Sequence, residues 1–419
     1  MHDFSYRNEE LYCEGIKVSA IAKKVGTPVY IYSYQTLVDH FRKIKEAFRA
    51  VNPIICFAMK ANSNLAILKA LANEGAGFDI VSGGELKKAR LVGADMKKIA
   101  FASVGKTDGE IADAIKAGIL LFNVESKPEL ENINRIAGKM KKTVQVALRV
   151  NPDIDAPTHD KINTGSLKKK FGIDLKTARK IFLEQKIYKN LHINGVHIHI
   201  GSQITKAEPF LTAIKKALAF VDGLEKNGIK VDYFDIGGGL GIVYNDETPQ
   251  TAREFADKVL PLLKGRTFRL LMEPGRFIVG NAGIFITRKL YLKDNGVKKF
   301  MIVDAGMNDL VRPSMYGAYH EIIPVKPSGI ASVMCDVVGP ICESGDVFAH
   351  DRRVMNVKDG DFLALLSAGA YGYVMSSNYN VRPRAAEVMV KGRQWAVVQE
   401  RENFKDLIKG ASIPEFISH

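Results

Sequence analysis

Cysteine is scarce in this chain: four in 419 residues, at Cys13, Cys56, Cys335 and Cys342. So few in so long a chain make no disulfide framework, and none stands in a Cys-x-x-Cys pair, which argues against zinc-ribbon and dithiol redox chemistry and for a reducing compartment. No apolar run approaches the roughly 18 residues that a membrane span requires. The opening Met1-His2-Asp3-Phe4-Ser5-Tyr6 lacks the apolar core of a signal peptide, so a cytoplasmic protein with no membrane partner is expected. Biased tracts are missing as well: 15 Pro and 36 Gly are ordinary for a globular enzyme and give no sign of disorder.

Charge is unbalanced, with 60 Lys and Arg against 46 Asp and Glu and a formal net charge of +14. The basic residues fall in short runs, Lys87-Lys88, Lys141-Lys142 and Lys168 to Lys170, with no aromatic platform between them. That pattern fits solvated helix faces rather than a nucleic-acid surface. A chain of this length exceeds what one small core serves, so two domains are expected.

Between residues 28 and 275, short runs rich in Val, Ile and Phe alternate with helical patterns. After a first run, Pro28–Tyr32, Leu37, Phe41, Ile44 and Phe48 recur at helical spacing. Eight strands are then expected: Ile54–Met59, Phe78–Val81, Lys98–Ala102, Ile119–Val124, Val144–Val150, Ile193–Ile198, Val231–Ile236 and Phe268–Met272. Eight βα units make a TIM-type (β/α)8 barrel. The alternative, an open doubly wound sheet, would show a Gly-x-Gly-x-x-Gly turn after its first strand, and none follows Ile54–Met59. Beyond Gly275 the pattern shifts to short strands without long amphipathic helices. The expected architecture is therefore α/β plus all-β: a barrel over 28–275, and a β-sandwich or β-barrel domain over 276–419 that also takes in 1–27.

A barrel builds its active site at the C-terminal ends of its strands. Those ends here carry Lys60, Asp79, Ser103, Asn123 with Glu125, Arg149, His199, Gly237-Gly238-Gly239 and Glu273. Strand ends are often polar, but eight together point to a site. Lys60 closes an apolar strand, where low-dielectric surroundings favour the neutral, nucleophilic amine that an imine-forming lysine needs; a surface charge is the alternative. The glycines at 237–239 let backbone N–H groups approach a phosphate, or make a tight turn, and Ser202 offers a hydroxyl nearby. His197 and His199 alternate in one strand and share a face. Glu273 could hold a pyridine nitrogen protonated, or form an ion pair with Arg276 or Arg149.

In order, the motifs Phe57-Ala-Met-Lys60-Ala-Asn, Gly77-Phe-Asp79, His197-Ile-His199-Ile-Gly-Ser202, Asp235-Ile-Gly-Gly-Gly239 and Glu273-Pro-Gly-Arg276 resemble those of the alanine-racemase-like, fold-type III pyridoxal-phosphate decarboxylases. The resemblance covers residues 28 to 400. It implies that Lys60 bonds pyridoxal 5'-phosphate, that His199 stacks on its ring, and that Ser202, Gly238 and Gly239 hold its phosphate. It further implies that Glu273 pairs with the pyridine nitrogen, with Asp79, Glu85, Arg149, Pro274, Gly275, Arg276 and Tyr371 completing the cofactor site. The later motifs Arg312-Pro-Ser-Met-Tyr316, Gly339-Pro-Ile-Cys342-Glu343 and Gly369-Ala-Tyr371 are similar to those of the diaminopimelate decarboxylases.

By that similarity the substrate is meso-diaminopimelate, and its distal carboxylate falls to Arg276, Arg312 and Tyr316. Its distal amine falls to Glu343, and Tyr371 touches substrate and cofactor. Cys342 donates the proton that replaces carbon dioxide; a small buried hydrophobe is its alternative reading. The similarity also implies a homodimer with shared active sites, and no metal. A related decarboxylase for another amino acid, a racemase, and a catalytically silent binding protein are the competing readings.

Overall fold

The computed structural model describes residues 3–152 and 170–417. The two lysines that open the run Lys168 to Lys170 lie outside them. The chain divides into two compact units, 36–281 and 1–35 with 282–419; the sequence reading had drawn the boundaries at 27/28 and 275/276. The first difference has a physical cause. The strand Val29–Ser33 is fully buried and pairs with Gly283–Asp294 on one side and Ala386–Lys391 on the other, so its ladder belongs to the β-rich unit.

In the unit of residues 36–281, eight parallel strands close on themselves: β1 (Ile54–Ala58), β2 (Gly77–Ile80), β3 (Ile99–Phe101), β4 (Leu121–Val124), β5 (Val144–Asn151), β6 (Leu191–His197), β7 (Tyr233–Asp235) and β8 (Arg269–Met272). Closure is the pairing of β8 with β1, Leu271 opposite Ile54. All eight expected strands are present. The strand β4 is buried at every position, as parallel strands covered on both faces must be, which explains why these runs read as continuous apolar stretches rather than alternations.

The helices that follow the strands are set by local signals. Thr107 and Glu110 cap Asp108–Ala117 reciprocally, and Ser126 caps Lys127–Lys139, with Pro128 in its first turn. After β8 only the short helix Arg276–Val279 follows. Residues 36–47 of the helix Tyr34–Ala47 pack there, with His40 Nδ1 3.2 Å from the Ile278 carbonyl.

The other unit is a branched mixed sheet built around the long strand Gly283–Asp294, which pairs with Val29–Ser33, Phe362–Leu365 and Lys299–Val303 along its length. The strand Val347–Val354, unmarked in the sequence reading, pairs antiparallel with Val333–Val338. The N-terminal residues join this unit as expected. Their small sheet and the helix Val18–Val25 bury Leu11, Cys13, Val18 and Ile21 in one core with Ile31, Ile284, Ile286 and Val388, each such burial being worth about 1.5–3 kcal/mol for the larger aliphatics.

Candidate active site

Lys60 lies in the single helical turn Met59–Ala61 that ends β1. Its Nζ is 2.8 Å from Asp79 Oδ2 at the end of β2. The apolar surroundings expected of Lys60 therefore do not extend to its tip, which meets a carboxylate. Burial, assisted by the charge of Glu273, pushes the Asp79 carboxyl up to about 6 despite the opposing lysine. Glu85 stands in the first turn of the helix Gly83–Leu91 and accepts the Val81 N–H at 2.7 Å. Burial raises it to about 7.

Beneath Lys60 the strand ends form a buried polar floor. The Asn123 side-chain amide donates to Glu273 Oε1 at 2.9 Å and to Asp235 Oδ2 at 3.3 Å. Two buried carboxylates sharing one amide cannot both ionise cheaply, and their affinities for protons split. Burial and the neighbouring Glu273 push Asp235 well above its ordinary value. Burial would do the same to Glu273, but the charges of His197 and Lys60 hold it far below the usual carboxylate range. His197 Nε2 lies 3.3 Å from Glu273 Oε2, off the line of a hydrogen bond, so the attraction is Coulombic. Burial disfavours the imidazolium, yet Glu273 and Asp235 outweigh it and raise His197.

His199 behaves in the opposite way. Burial first, then the charges of Arg149 and Lys60, hold it well below its usual value, so it is a neutral ring whose Nδ1 accepts the Gly238 N–H at 3.2 Å. Arg149 donates to Glu125 at 3.0 Å. The Glu273 ion pairs considered as alternatives are thus replaced: Arg149 takes Glu125, and Arg276 donates to Ser202 Oγ at 3.1 and 3.3 Å and to the Tyr244 hydroxyl at 2.6 Å. His197, His199 and Glu273 bring ligand atoms within 4.8 Å of one another, a spacing that a cation could bridge.

The Gly-rich turn after β7 is a close approach of backbones. A Cβ at Gly238 would stand 2.1 Å from the Glu273 carbonyl, and one at Gly239, whose φ is +110°, would stand 2.4 Å from that of Gly201. Only glycine fits. Pro274 and Gly275 line the same corner: the Pro274 carbonyl accepts the Ala58 N–H at 3.2 Å, and a Cβ at Gly275 would stand 3.0 Å from that of Ala61.

This floor fits pyridoxal phosphate on its own geometry. It offers an amine on a flexible stem, an ionised carboxylate below it and a glycine cradle beside Ser202. Asp79 Oδ1 and Asn123 Oδ1 are buried acceptors without a hydrogen-bond partner, as a site shaped for a polar heterocycle would have.

Thus Lys60, Asp79, Glu85, Arg149, His199, Ser202, Gly238, Gly239, Glu273, Pro274, Gly275 and Arg276 all lie in the barrel unit. Arg312, Tyr316, Cys342, Glu343 and Tyr371 lie in the β-rich unit, which groups at least two of their segments. Arg312 opens the helix Arg312–Tyr316, is buried and lies 2.9 Å from His320 Nε2. From the same helix Ser314 donates to the Gly345 carbonyl at 2.6 Å, and Asp346 fastens the loop by accepting the Met307 and Ile341 N–H groups at 2.6 and 2.7 Å. Of the four cysteines only Cys342 is exposed, which removes the buried-hydrophobe reading for it. Glu343 is exposed beside it, and Tyr371 holds a left-handed φ of +55°, a strain typical of functional positions.

Three residues of the floor and its supports have no role assigned from sequence. Asn123 was named at a strand end but given no role. Lys106 is fully buried and donates to the Ser103 and Asn123 carbonyls, both at 2.8 Å, and to Glu129 at 2.5 Å; one lysine among many in a loop carries no sequence signal. Tyr244 was equally silent.

Residues 34–280 match the family model for the pyridoxal-binding domain of pyridoxal-dependent decarboxylases. The chain is similar to the diaminopimelate decarboxylase of Aquifex aeolicus, 47% identical over 405 residues that cover 96% of each protein. Among solved structures, diaminopimelate decarboxylase from Helicobacter pylori complexed with L-lysine is 41% identical with a TM-score of 0.90, covering 93% of this chain and 98% of that one. The enzyme of the same name from M. jannaschii, in co-complex with L-lysine, is 38% identical with a TM-score of 0.94 over 99% of both.

Proposed function

The chain belongs to the pyridoxal-dependent decarboxylases, and we propose that within this family it converts meso-2,6-diaminopimelate to L-lysine and carbon dioxide, the last step of lysine biosynthesis. Its cofactor is pyridoxal 5'-phosphate. The observation that carries the chemistry is Glu273, a buried carboxylate kept ionised by His197 and Lys60. When bound, the cofactor supplies an electron sink for the pair left behind as the carbon–carboxylate bond breaks.

The residues divide the work. Lys60, oriented by Asp79, is the amine that would hold the cofactor covalently. Glu273, kept ionised, would hold a proton on the ring nitrogen. Neutral His199, its ring held by the Gly238 N–H, would offer its face to the cofactor ring. Gly238, Gly239 and Ser202 grip the phosphate, and Glu85, Arg149, Pro274, Gly275 and Tyr371 shape its surroundings. Arg276, Arg312 and Tyr316 receive the distal carboxylate, because two guanidinium groups and a phenol suit a carboxylate that a simple diamine precursor would not carry. Glu343 takes the distal amine, and Cys342 donates the proton that replaces carbon dioxide.

The exposure of Cys342 and Glu343 on a loop whose Cys342 N–H is held by the Asn380 side chain supports a homodimer in which each chain completes its partner's site. The reducing, cytoplasmic setting suggested by four free cysteines belongs to the same proposal. Among the described residues no helix is long and apolar enough to cross a membrane.

Purified protein with pyridoxal phosphate and meso-diaminopimelate is expected to release carbon dioxide and L-lysine in equal amounts; racemisation without carbon dioxide would overturn the reading. Arg312→Ala is expected to raise KM about ten- to a hundred-fold with the cofactor still bound, the size of a charge-assisted hydrogen bond. An unchanged KM would remove Arg312 from the clamp.

A further inference from the structure

Arg276 is assigned above to both the cofactor site and the substrate's distal carboxylate, and the barrel holds its guanidinium on two edges. Nε and Nη2 reach Ser202 Oγ at 3.3 and 3.1 Å, while Nη1 donates to the Tyr244 hydroxyl at 2.6 Å. The guanidinium carbon is 5.7 Å from the centre of the Tyr244 ring. Both residues are buried, at 6% and 7% exposure.

Tyr244 sits on the loop that leaves the Gly-rich turn, and that loop is fastened at every step. Leu240 bridges to Ile204. The Gln203 side-chain amide pairs with the Ile242 backbone in both directions, at 2.7 and 3.1 Å, from a residue held at a left-handed φ of +60°. Asn281 donates to the Val243 carbonyl at 3.1 Å. Glu247 accepts the N–H groups of Tyr244 and Asn245 at 2.9 and 2.8 Å. A non-glycine residue in the left-handed region persists only when its surroundings hold it there, and here the surroundings aim one phenol at one guanidinium.

We propose that Tyr244 is a positioning residue for substrate recognition: it fixes the plane of Arg276 so that the guanidinium, tied on one edge to Ser202, meets the substrate's distal carboxylate in a preset orientation. A planar guanidinium meets a carboxylate in two parallel hydrogen bonds only when its plane is correctly set. Without the phenol, the side chain must be ordered by the substrate itself, and affinity falls by that cost. Because Ser202 belongs to the phosphate grip, Tyr244 and Arg276 link substrate affinity to an ordered phosphate loop. This inference rests on the assignment of Arg276 to the substrate carboxylate.

The test is Tyr244→Phe in the holoenzyme, which keeps the ring and deletes the hydroxyl. The expected result is a rise of about ten-fold or more in KM for meso-diaminopimelate and a matching loss of L-lysine affinity, read by titrating the cofactor absorbance. The turnover number and retention of pyridoxal phosphate on dialysis should stay within about two-fold, the signature of lost uniform binding. Tyr244→His, a ring with an acceptor nitrogen, should recover part of the loss. Weaker cofactor retention with unchanged KM would overturn the proposal in favour of a phosphate role, and so would no change in either. Wild-type enzyme that bound L-lysine but released none from meso-diaminopimelate would refute the functional reading instead, and the L-lysine titration would still report on Tyr244.

Discussion

The two units carry their candidate functional residues in opposite ways. In the barrel, the candidate residues sit at the ends of strands and are largely bonded to one another: Lys60 to Asp79, Asn123 to Glu273 and Asp235, Arg149 to Glu125, His199 to Gly238. In the β-rich unit, Cys342 and Glu343 stand exposed on a loop whose backbone N–H groups are held by side-chain acceptors, Cys342 by Asn380 Oδ1 at 2.8 Å and Ile341 by Asp346 at 2.7 Å. The difference teaches where preorganisation comes from. A closed parallel barrel converges eight strand ends on one axis and can complete a buried electrostatic site by itself. A sheet edge can only display side chains to whatever comes to meet them.

The strongest way to break that comparison is Lys60→Ala. A cofactor site built on this lysine should, on losing the amine, lose turnover by roughly four orders of magnitude or more, together with the absorbance of the lysine-bound cofactor. Retained turnover would mean that the barrel does not carry the chemistry.

Lys106→Met probes what holds the barrel's strand ends. It leaves Glu129 buried without its cation and should cost about 3–5 kcal/mol in a urea titration; a loss below about 1 kcal/mol would show that the ion pair is structurally idle.

Cys342→Ala probes the displayed loop and should lower the turnover number about a hundred-fold, the usual worth of a positioned acid. Mixing it with Lys60→Ala sharpens the point. If each chain completes its partner's site, mixed dimers regain one intact site and an equimolar mixture about a quarter of the wild-type activity, whereas no recovery would place both residues in service of the same chain.

The smallest effect is on stability against pH. Burial pushes Asp309, in the β-rich unit, up to about 7 from an ordinary 3.8. Across that interval the folded unit binds a proton that the unfolded chain does not, so stability falls as pH rises through it. Asp309→Asn should flatten that fall by a few degrees of Tm between about pH 4 and 7; an unchanged slope would remove Asp309 as its source.

Much of this was legible beforehand, for identifiable reasons. Parallel strands buried on both faces appear as unbroken apolar runs, so all eight barrel strands could be marked, and the polar residue that ends each run marks the site. Glycines at 237–239 are readable because nothing else fits where backbones meet. The strand Val29–Ser33 looked like a barrel element because its five residues are apolar or aromatic up to Ser33, and burial looks the same in either sheet. Val347–Val354 lacks a clear apolar pattern because exposed His350, Asp351 and Arg353, with half-buried Arg352, interrupt it.

The sequence by itself determined the element types, their order, the strand-end chemistry and the glycine turn, because each depends on neighbours within a few residues. Only the tertiary structure decided which of two adjacent carboxylates, Asp235 or Glu273, keeps its charge. It also paired Arg276 with Tyr244 and Ser202 instead of Glu273, and buried Lys106 while leaving most other lysines in water. Those outcomes depend on distances between residues far apart in the chain, and Coulomb and desolvation energies are functions of distance and burial, which composition and spacing do not contain.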